Sequence, residues 1–288
     1  MALTTVVSRT LTPAEVTQAQ QRAISIANAG LSSATVPPGG LTYFIGFDGT
    51  NNNRANPSSS GDSQMTNVGY ISGKFEDAAS TRSNLTAKYY PGIGTSGNWL
   101  GDKWAAGPAP TATAKEIAEK AYSDFAKSAS EWSKANPGQG ISVMLATDSR
   151  GDGVGAIFSQ LLYERGLTDP RTGAVLIPPG DVRIAGLMSF DSVTTQISGN
   201  VSYAPIVDNA VNIVANDETR SYFRSTDRSG EANFSVIGMP GNHGDVIGFY
   251  DNALGALTLG GVSGSSGAIG YFMNRGGADQ PCWLGPTV

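Results

Sequence analysis

The 288-residue sequence contains one histidine, His243, and one cysteine, Cys282. Any reaction that needs an imidazole base must therefore use His243, whose ordinary pKa near neutrality suits it to proton transfer. A serine hydroxyl is a weak nucleophile until such a base takes its proton. The serine with the most suitable setting is Ser149, in Thr147-Asp148-Ser149-Arg150-Gly151-Asp152. A carboxylate is then required to hold the imidazole tautomer and to stabilise the imidazolium. Asp191 is the first candidate for that role, and Asp245, two residues past the histidine, is the reserve. The chain order Ser149, Asp191, His243 is the one that accompanies a serine on a strand-to-helix elbow. Backbone N–H groups of Arg150 and of Gly49 or Thr50 are the candidate donors to a developing oxyanion.

These residues need elements to hold them. Ile141-Ser-Val-Met-Leu-Ala is a short run rich in β-formers, and Ala156 to Tyr163 carries apolar residues at helical spacing, so Ser149 falls on a tight strand-to-helix turn. Elbow sequences usually carry a glycine two residues to either side of the serine. Here Gly151 is present and Thr147 stands in the other position. Leu41 to Phe47 reads as an apolar strand that ends in Asp48-Gly49-Thr50. Val182 to Phe190 reads as a strand that ends in Asp191, and Phe234 to Met239 as one that leads to His243. Thr12-Pro13-Ala14-Glu15 opens a helix that runs to about Asn28. The spacing predicts helices over Thr66–Ala79, Thr111–Lys134, Ala204–Asn216 and Asp251–Leu259, and a short strand before Tyr90-Pro91-Gly92. Short apolar strands alternating with helices imply an α/β fold, a mostly parallel sheet covered on both faces. In such sheets reactive groups gather beyond the carboxyl ends of the strands, and Asp48, Ser149, Asp191 and His243 each follow a strand.

Plainer readings stand beside each of these. Ser149 or Asp191 alone would serve as a helix or turn cap, His243 as a satisfied turn residue, and Asp48-Gly49 as an ordinary turn. The Asp-Gly-Thr run also resembles a phosphatase motif, but the position of that motif's nucleophilic aspartate is Gly46. Asp217, Glu218 and Arg220 read as a structural ion-pair cluster. The joint placement after successive strands favours the chemical reading.

Composition narrows the class. Hydrophobic residues at 40% are enough for a core, and charged residues at 15% leave no long solvated runs. A net charge of −5 argues against nucleic acid as a partner. One cysteine and one histidine exclude an internal disulfide and a Cys/His zinc site. No apolar run is long enough to span a membrane as a helix, and the first residues lack the pattern of a signal peptide. Residues 1–40 read as a helical arm and 41–288 as one catalytic domain, with 54–110 a lid or insertion and 260–288 a glycine-rich tail.

Six segments taken together resemble the DUF2235 α/β-hydrolases, which include catalytic domains of type VI secretion phospholipase effectors. They are Phe47-Asp-Gly-Thr-Asn-Asn52, Tyr90-Pro-Gly-Ile-Gly-Thr95, Ser149-Arg-Gly151, Phe190-Asp-Ser-Val193, Asp217-Glu-Thr-Arg220 and Pro240-Gly-Asn-His-Gly-Asp-Val246. The resemblance runs in order from about residue 41 to 259. It implies an α/β-hydrolase-like fold, with Ser149 as nucleophile, Asp191 and His243 as its partners, and Asp245 matching the aspartate of the histidine motif. It further implies hydrolysis of a phospholipid or other lipid ester without a cofactor. It implies synthesis in a bacterial cytoplasm, export by a secretion machine to a rival cell's periplasm or membrane, and an immunity protein in the producer. Thr147, Asp148, Asp152, Gly244 and Ile247 depart from the family pattern. Asp148 and Asp152 flank the serine with negative charge, which would repel an anionic head group unless Arg150 or a cation offsets it. The altered elbow motivates one alternative, a hydrolase-like binding or structural module without catalysis; a further reading is a metal-assisted hydrolase with Asp48, Asp191 and Asp245 around calcium or magnesium.

Overall fold

A computed structural model describes residues 12–28, 38–56, 65–95 and 109–248. Thr12 and Glu15 form a reciprocal cap, the Thr12 N–H donating to Glu15 Oε2 at 2.8 Å and the Glu15 N–H to Thr12 Oγ1 at 3.3 Å. Helix α1 (Pro13–Asn28) starts there. Strand β1 (Leu41–Phe47), helix α2 (Asn67–Ala79), strand β2 (Leu85–Tyr90) and helix α3 (Ala109–Ala135) follow. Strand β3 (Ile141–Asp148) leads into helix α4 (Gly151–Arg165). Next come a small antiparallel pair, β4 (Leu167–Thr168) and β5 (Val175–Ile177), then β6 (Arg183–Phe190), β7 (Ala210–Ala215), a 3₁₀ turn (Ser221–Phe223), β8 (Phe234–Met239) and the short helix α5 (His243–Ile247).

Six strands form one sheet in the order β2-β1-β3-β6-β7-β8, every neighbouring pair parallel. Alternate residues feed two cores, as the two-residue period of a strand requires. Tyr43, Ile45, Phe47, Val143 and Leu145 pack with Ala114, Ala118, Ala121 and Phe125 of α3 and with Phe158 of α4. Phe44, Met144, Ala146, Met188 and Ile213 pack on the other face with Ile26 of α1, Ile71 and Phe75 of α2, and Val246 of α5. Both faces are thus covered, which is why β1 and β3 are buried along their whole length and read as unbroken apolar runs.

The stretch expected to be a helix at Ala204–Asn216 instead holds β7, which fills the sheet between β6 and β8. Val211, Ile213 and Val214 are β-branched and lose rotamer freedom in a helix. Val211 and Ile213 are fully buried in the second core. Within 54–110, read as a lid or insertion, residues 65–95 contribute α2 and β2 to the layered core. The predicted helix at 251–259 and the tail at 260–288 lie outside the described residues.

The chain leaves β1 toward β2 on one side and returns through α3 to β3 on the other. The order therefore reverses between β1 and β3, the switch point past whose carboxyl ends sheets of this kind form their ligand crevice. Backbones meet closely there. A Cβ built on Gly92 would stand 1.5 Å from the Gly49 carbonyl oxygen, while the Gly92 N–H donates to the Asn52 carbonyl at 2.9 Å. A Cβ on Gly73 of α2 would find only the end of Arg54 at 3.8 Å. Gly92→Ala is expected to lower the unfolding free energy by about 3 kcal/mol or more through overpacking. Gly73→Ala should raise it by up to about 1 kcal/mol through helix propensity. Urea midpoints of the two variants check both.

Candidate active site

Ser149 occupies the turn between β3 and α4 in the left-handed region, φ 48°. A side chain seldom adopts this conformation unless its surroundings impose it. Here the Ser149 N–H donates to the Phe190 carbonyl at 3.2 Å, and its own carbonyl accepts from Asp152 at 3.2 Å and Val193 at 3.0 Å. The serine is thereby tied to the end of β6 on both sides of Asp191. Glycines provide the remaining room. A Cβ on Gly151 would come within 2.3 Å of the Phe47 carbonyl oxygen, and one on Gly49 within 2.9 Å of Ser149 Cβ. Thr147, where elbows usually carry glycine, is accommodated from the opposite side: a Cβ on Gly155 would lie 2.9 Å from Thr147 Cγ2. Gly155 is visible in the sequence, but only the packing of α4 on β3 reveals its use.

His243 opens α5. Asn242 caps that helix, its side chain accepting from the Gly244 and Asp245 N–H groups. The ring Nδ1 lies 2.6 Å from Asp191 Oδ2. Asp191, also left-handed at φ 48°, accepts at Oδ1 from the Ala215 N–H at 2.8 Å and from the Ser225 hydroxyl. Ala215 belongs to β7, the strand expected to be a helix, and Ser225 was not anticipated from sequence. Glu218 accepts from the His243 N–H at 3.2 Å and pairs with Arg220. Phe223 packs on the His243 ring at 5.2 Å between centroids and lies beneath both Arg220 and Arg150. Ser149 Oγ makes no hydrogen bond to His243 among the described residues, although catalytic contacts are often long before substrate arrives.

The oxyanion candidates separate. The Gly49 N–H donates to Asp48 Oδ1 at 3.0 Å, so it is engaged within its own turn. No acceptor is recorded among the described residues for the backbone N–H of Thr50 or Arg150. The Arg150 guanidinium bridges Thr50, Thr195 and Gln196, joining the turn after β1 to the loop after Asp191.

The acidic flank expected at the elbow does not face the crevice. Asp152 is fully buried and accepts from Thr147, Ser189, Tyr203, Ser192 and Arg228. Burial pushes its pKa up, but the Arg228 charge and the hydrogen bonds from Ser192, Arg228 and Ser189 more than offset this, and it lies below the usual carboxylate range. Arg228 is itself buried and also meets Glu231. It lies 76 residues from Asp152, and no local signal marks it. Asp148 is fully buried beneath Gly49.

Asp48, Asp191 and Asp245 do not gather. Asp48 meets Tyr89 and Thr66, Asp191 meets His243, and Asp245 accepts from the Asn242 N–H at 2.8 Å as half of the α5 capping box. Among the described residues no three His, Cys, Asp or Glu side chains are placed to hold a metal ion, and no helix is long and apolar enough to cross a membrane.

No family model matches the sequence, and no curated protein matches it at the sequence level. Solved structures are similar in fold. The Tle1 effector, in a structure bound to the VgrG spike from the Type 6 secretion system, is 18% identical over 75% of this chain and 53% of its own, with a TM-score of 0.52. An uncharacterized protein from Pseudomonas aeruginosa is 16% identical over 92% of this chain and 51% of its own, with a TM-score of 0.48. An acetylxylan esterase is 14% identical, with a TM-score of 0.32 over 84% of this chain and 100% of its own. The chain spans about half the length of the first two. The architecture shared with the Tle1 effector is an α/β fold, a parallel six-stranded sheet with helices on both faces.

Arg228→Met would leave Asp152 buried without its cation. The expected cost is about 3–5 kcal/mol of stability at neutral pH. Because the paired carboxyl titrates below its unfolded value, the pair's stabilisation is present above the unfolded pKa and lost as pH falls through the folded one. The gap between wild type and Arg228→Met should therefore shrink at acid pH, as followed by urea unfolding at several pH values. Asp152→Asn added to Arg228→Met should recover part of the neutral-pH loss.

Proposed function

We propose that this chain is a serine hydrolase that cleaves lipid esters, a phospholipase A or lipase of the DUF2235 kind, acting as an antibacterial effector. The observation that carries the reading is the 2.6 Å contact of Asp191 Oδ2 with Nδ1 of the chain's one histidine, at the strand end that also holds the left-handed Ser149. A carboxylate on Nδ1 keeps the proton on that nitrogen and leaves Nε2 as the base. Ser149 Oγ attacks the acyl carbonyl while His243 Nε2 takes its proton. The N–H groups of Arg150 and Thr50 receive the oxyanion. His243 then protonates the leaving alcohol, and water, deprotonated by the same nitrogen, hydrolyses the acyl-enzyme. The strained serine, held clear of the sheet, supports this role.

Lipid as the substrate class rests on the resemblance of the six sequence segments. Delivery by a secretion machine is supported by the fold shared with Tle1, whose solved structure is a complex with a secretion-system spike. An immunity protein in the producing cell belongs to the same reading. The missing Ser149–His243 hydrogen bond favours a second reading, a hydrolase-like module that binds without turnover.

A fluorophosphonate probe separates the two. The hydrolase is expected to label at Ser149, with no label on Ser149→Ala; a folded wild type that never labels would support the module. On phosphatidylethanolamine–phosphatidylglycerol vesicles, fatty-acid release should fall by about 10⁴-fold in Asp191→Asn, where the wrong tautomer forms. Asp245→Asn should lose little turnover and about 1 kcal/mol of stability from the α5 cap. The opposite ranking would transfer the orienting role to Asp245.

A further inference from the structure

Beneath the crevice lie two carboxyl groups that the triad does not use. Asp48 and Asp148 end the adjacent strands β1 and β3 and are 3% and 0% exposed. No lysine, arginine or histidine forms an ion pair with either among the described residues. Arg54 pairs through Nη2 with Glu76 and lies over the Tyr89 ring, and Arg150 is spread over Thr50, Thr195 and Gln196. Two buried carboxylates in contact without a counter-charge cannot both be ionised.

Their hydrogen-bond partners differ. Tyr89 Oη accepts from the Arg54 N–H at 2.8 Å, so its own proton is free to go to Asp48 Oδ2. Thr66 Oγ1 accepts from the Gly69 N–H at 2.9 Å and donates to Asp48 Oδ1 at 2.9 Å. The Gly49 N–H is a third donor to Asp48 at 3.0 Å. Asp48 is therefore held as an acceptor by three donors, the setting of an ionised carboxylate. Asp148 receives a long contact from Asn52 Nδ2, at 3.4 Å, and shares the Gly49 N–H with Asp48, while its Oδ1 meets no donor. Its place is that of the neutral acid, donating to Asp48. The turn above leaves no slack, since a Cβ on Gly49 would fall 2.8 Å from both Asp148 Oδ2 and Asn52 Nδ2 and 2.9 Å from Ser149 Cβ.

We propose that Asp48 and Asp148 share a single proton, carried on Asp148, and that this pair is a positioning device that seats the Gly49–Asn52 turn against Ser149. Burial, followed by the Asp48 charge and the hydrogen bond to it, pushes the Asp148 acid well above the ordinary range. Burial raises Asp48 as well, opposed by its hydrogen bonds from Tyr89, Asp148, Thr66 and Gly49. When the shared proton leaves, two carboxylates face each other with Tyr89, Thr66 and Asn52 as their polar neighbours. Their repulsion displaces the turn and with it the Thr50 N–H. The kinetic consequence rests on the hydrolase reading; the protonation itself does not.

Infrared spectroscopy of the folded wild type at neutral pH should show the C=O stretch of a protonated carboxyl, which disappears as pH rises and is absent in Asp148→Asn. A raised folded pKa contributes stability below the unfolded value and loses it as pH climbs through the folded one. Wild type should therefore lose thermal stability relative to Asp148→Asn as pH rises from the ordinary carboxylate range into the alkaline range, because the folded acid is raised. Ester turnover by wild type should fall over the alkaline part of that range through kcat more than KM, and Asp148→Asn should lack that fall, because its amide donates at every pH. Absence of the acid band from folded wild type overturns the proposal, and calcium-dependent stabilisation in its place would assign the site to a cation. An unchanged alkaline limb in Asp148→Asn also overturns the positioning role. If Asp148→Asn does not fold, the wild-type band and its titration decide alone. If the band is present and no ester is cleaved, the hydrolase reading fails and the shared proton stands.

Discussion

The site depends on how closely the ends of β1 and β3 approach each other. The Phe47 carbonyl sits where any side chain on residue 151 would be, Gly49 backs against Ser149, and the next segment brings Gly92 onto Gly49. With the backbones this close, β3 cannot run on past Asp148 and must turn at once into α4. The turn forces Ser149 into the left-handed region, and hydrogen bonds to Phe190 and Val193 fix it there. The strain belongs to one residue and is compensated by the packing of the layers on either side.

Buried carboxyl groups surround this crowded region, and each is accommodated by a different means. Asp152 meets a buried arginine from a distant loop. Asp191 is satisfied by a ring nitrogen, a β7 amide and a hydroxyl. Asp48 is surrounded by neutral donors and has a second acid beneath it. Buried polar groups of this kind stabilise only when fully partnered. The elbow's polar lining is therefore part of its framework.

The likeness to Tle1 concerns the arrangement of the chain. A fold of this class carries many chemistries, so any ester hydrolysis must come from Ser149, Asp191 and His243 themselves. Phe223 links them further, contacting the imidazole and lying within reach of Arg150 beside the serine. The 3₁₀ turn thus connects the elbow to the histidine loop, although its sequence, Ser221-Tyr-Phe223, contains no chemical group that would single it out.

Much was legible in the sequence because local rules sufficed. The Thr12–Glu15 cap, the buried strands at 41–47, 141–148 and 183–190, the half-buried strand at 234–239, and the long helix α3 follow from residue spacing, capping chemistry and apolar runs. The adjacency of strand ends to Asp48, Ser149, Asp191 and His243 followed from those elements. Three-dimensional packing alone decided that Ala210–Ala215 is a strand, since a short apolar run satisfies either period and only the vacancy between β6 and β8 selects one. It also decided that Asp191, and not Asp245, meets the imidazole, that Gly155 makes room for Thr147, and that Arg228 reaches Asp152. Each of these contacts joins residues brought together by layers that pack, and no local pattern records such a meeting.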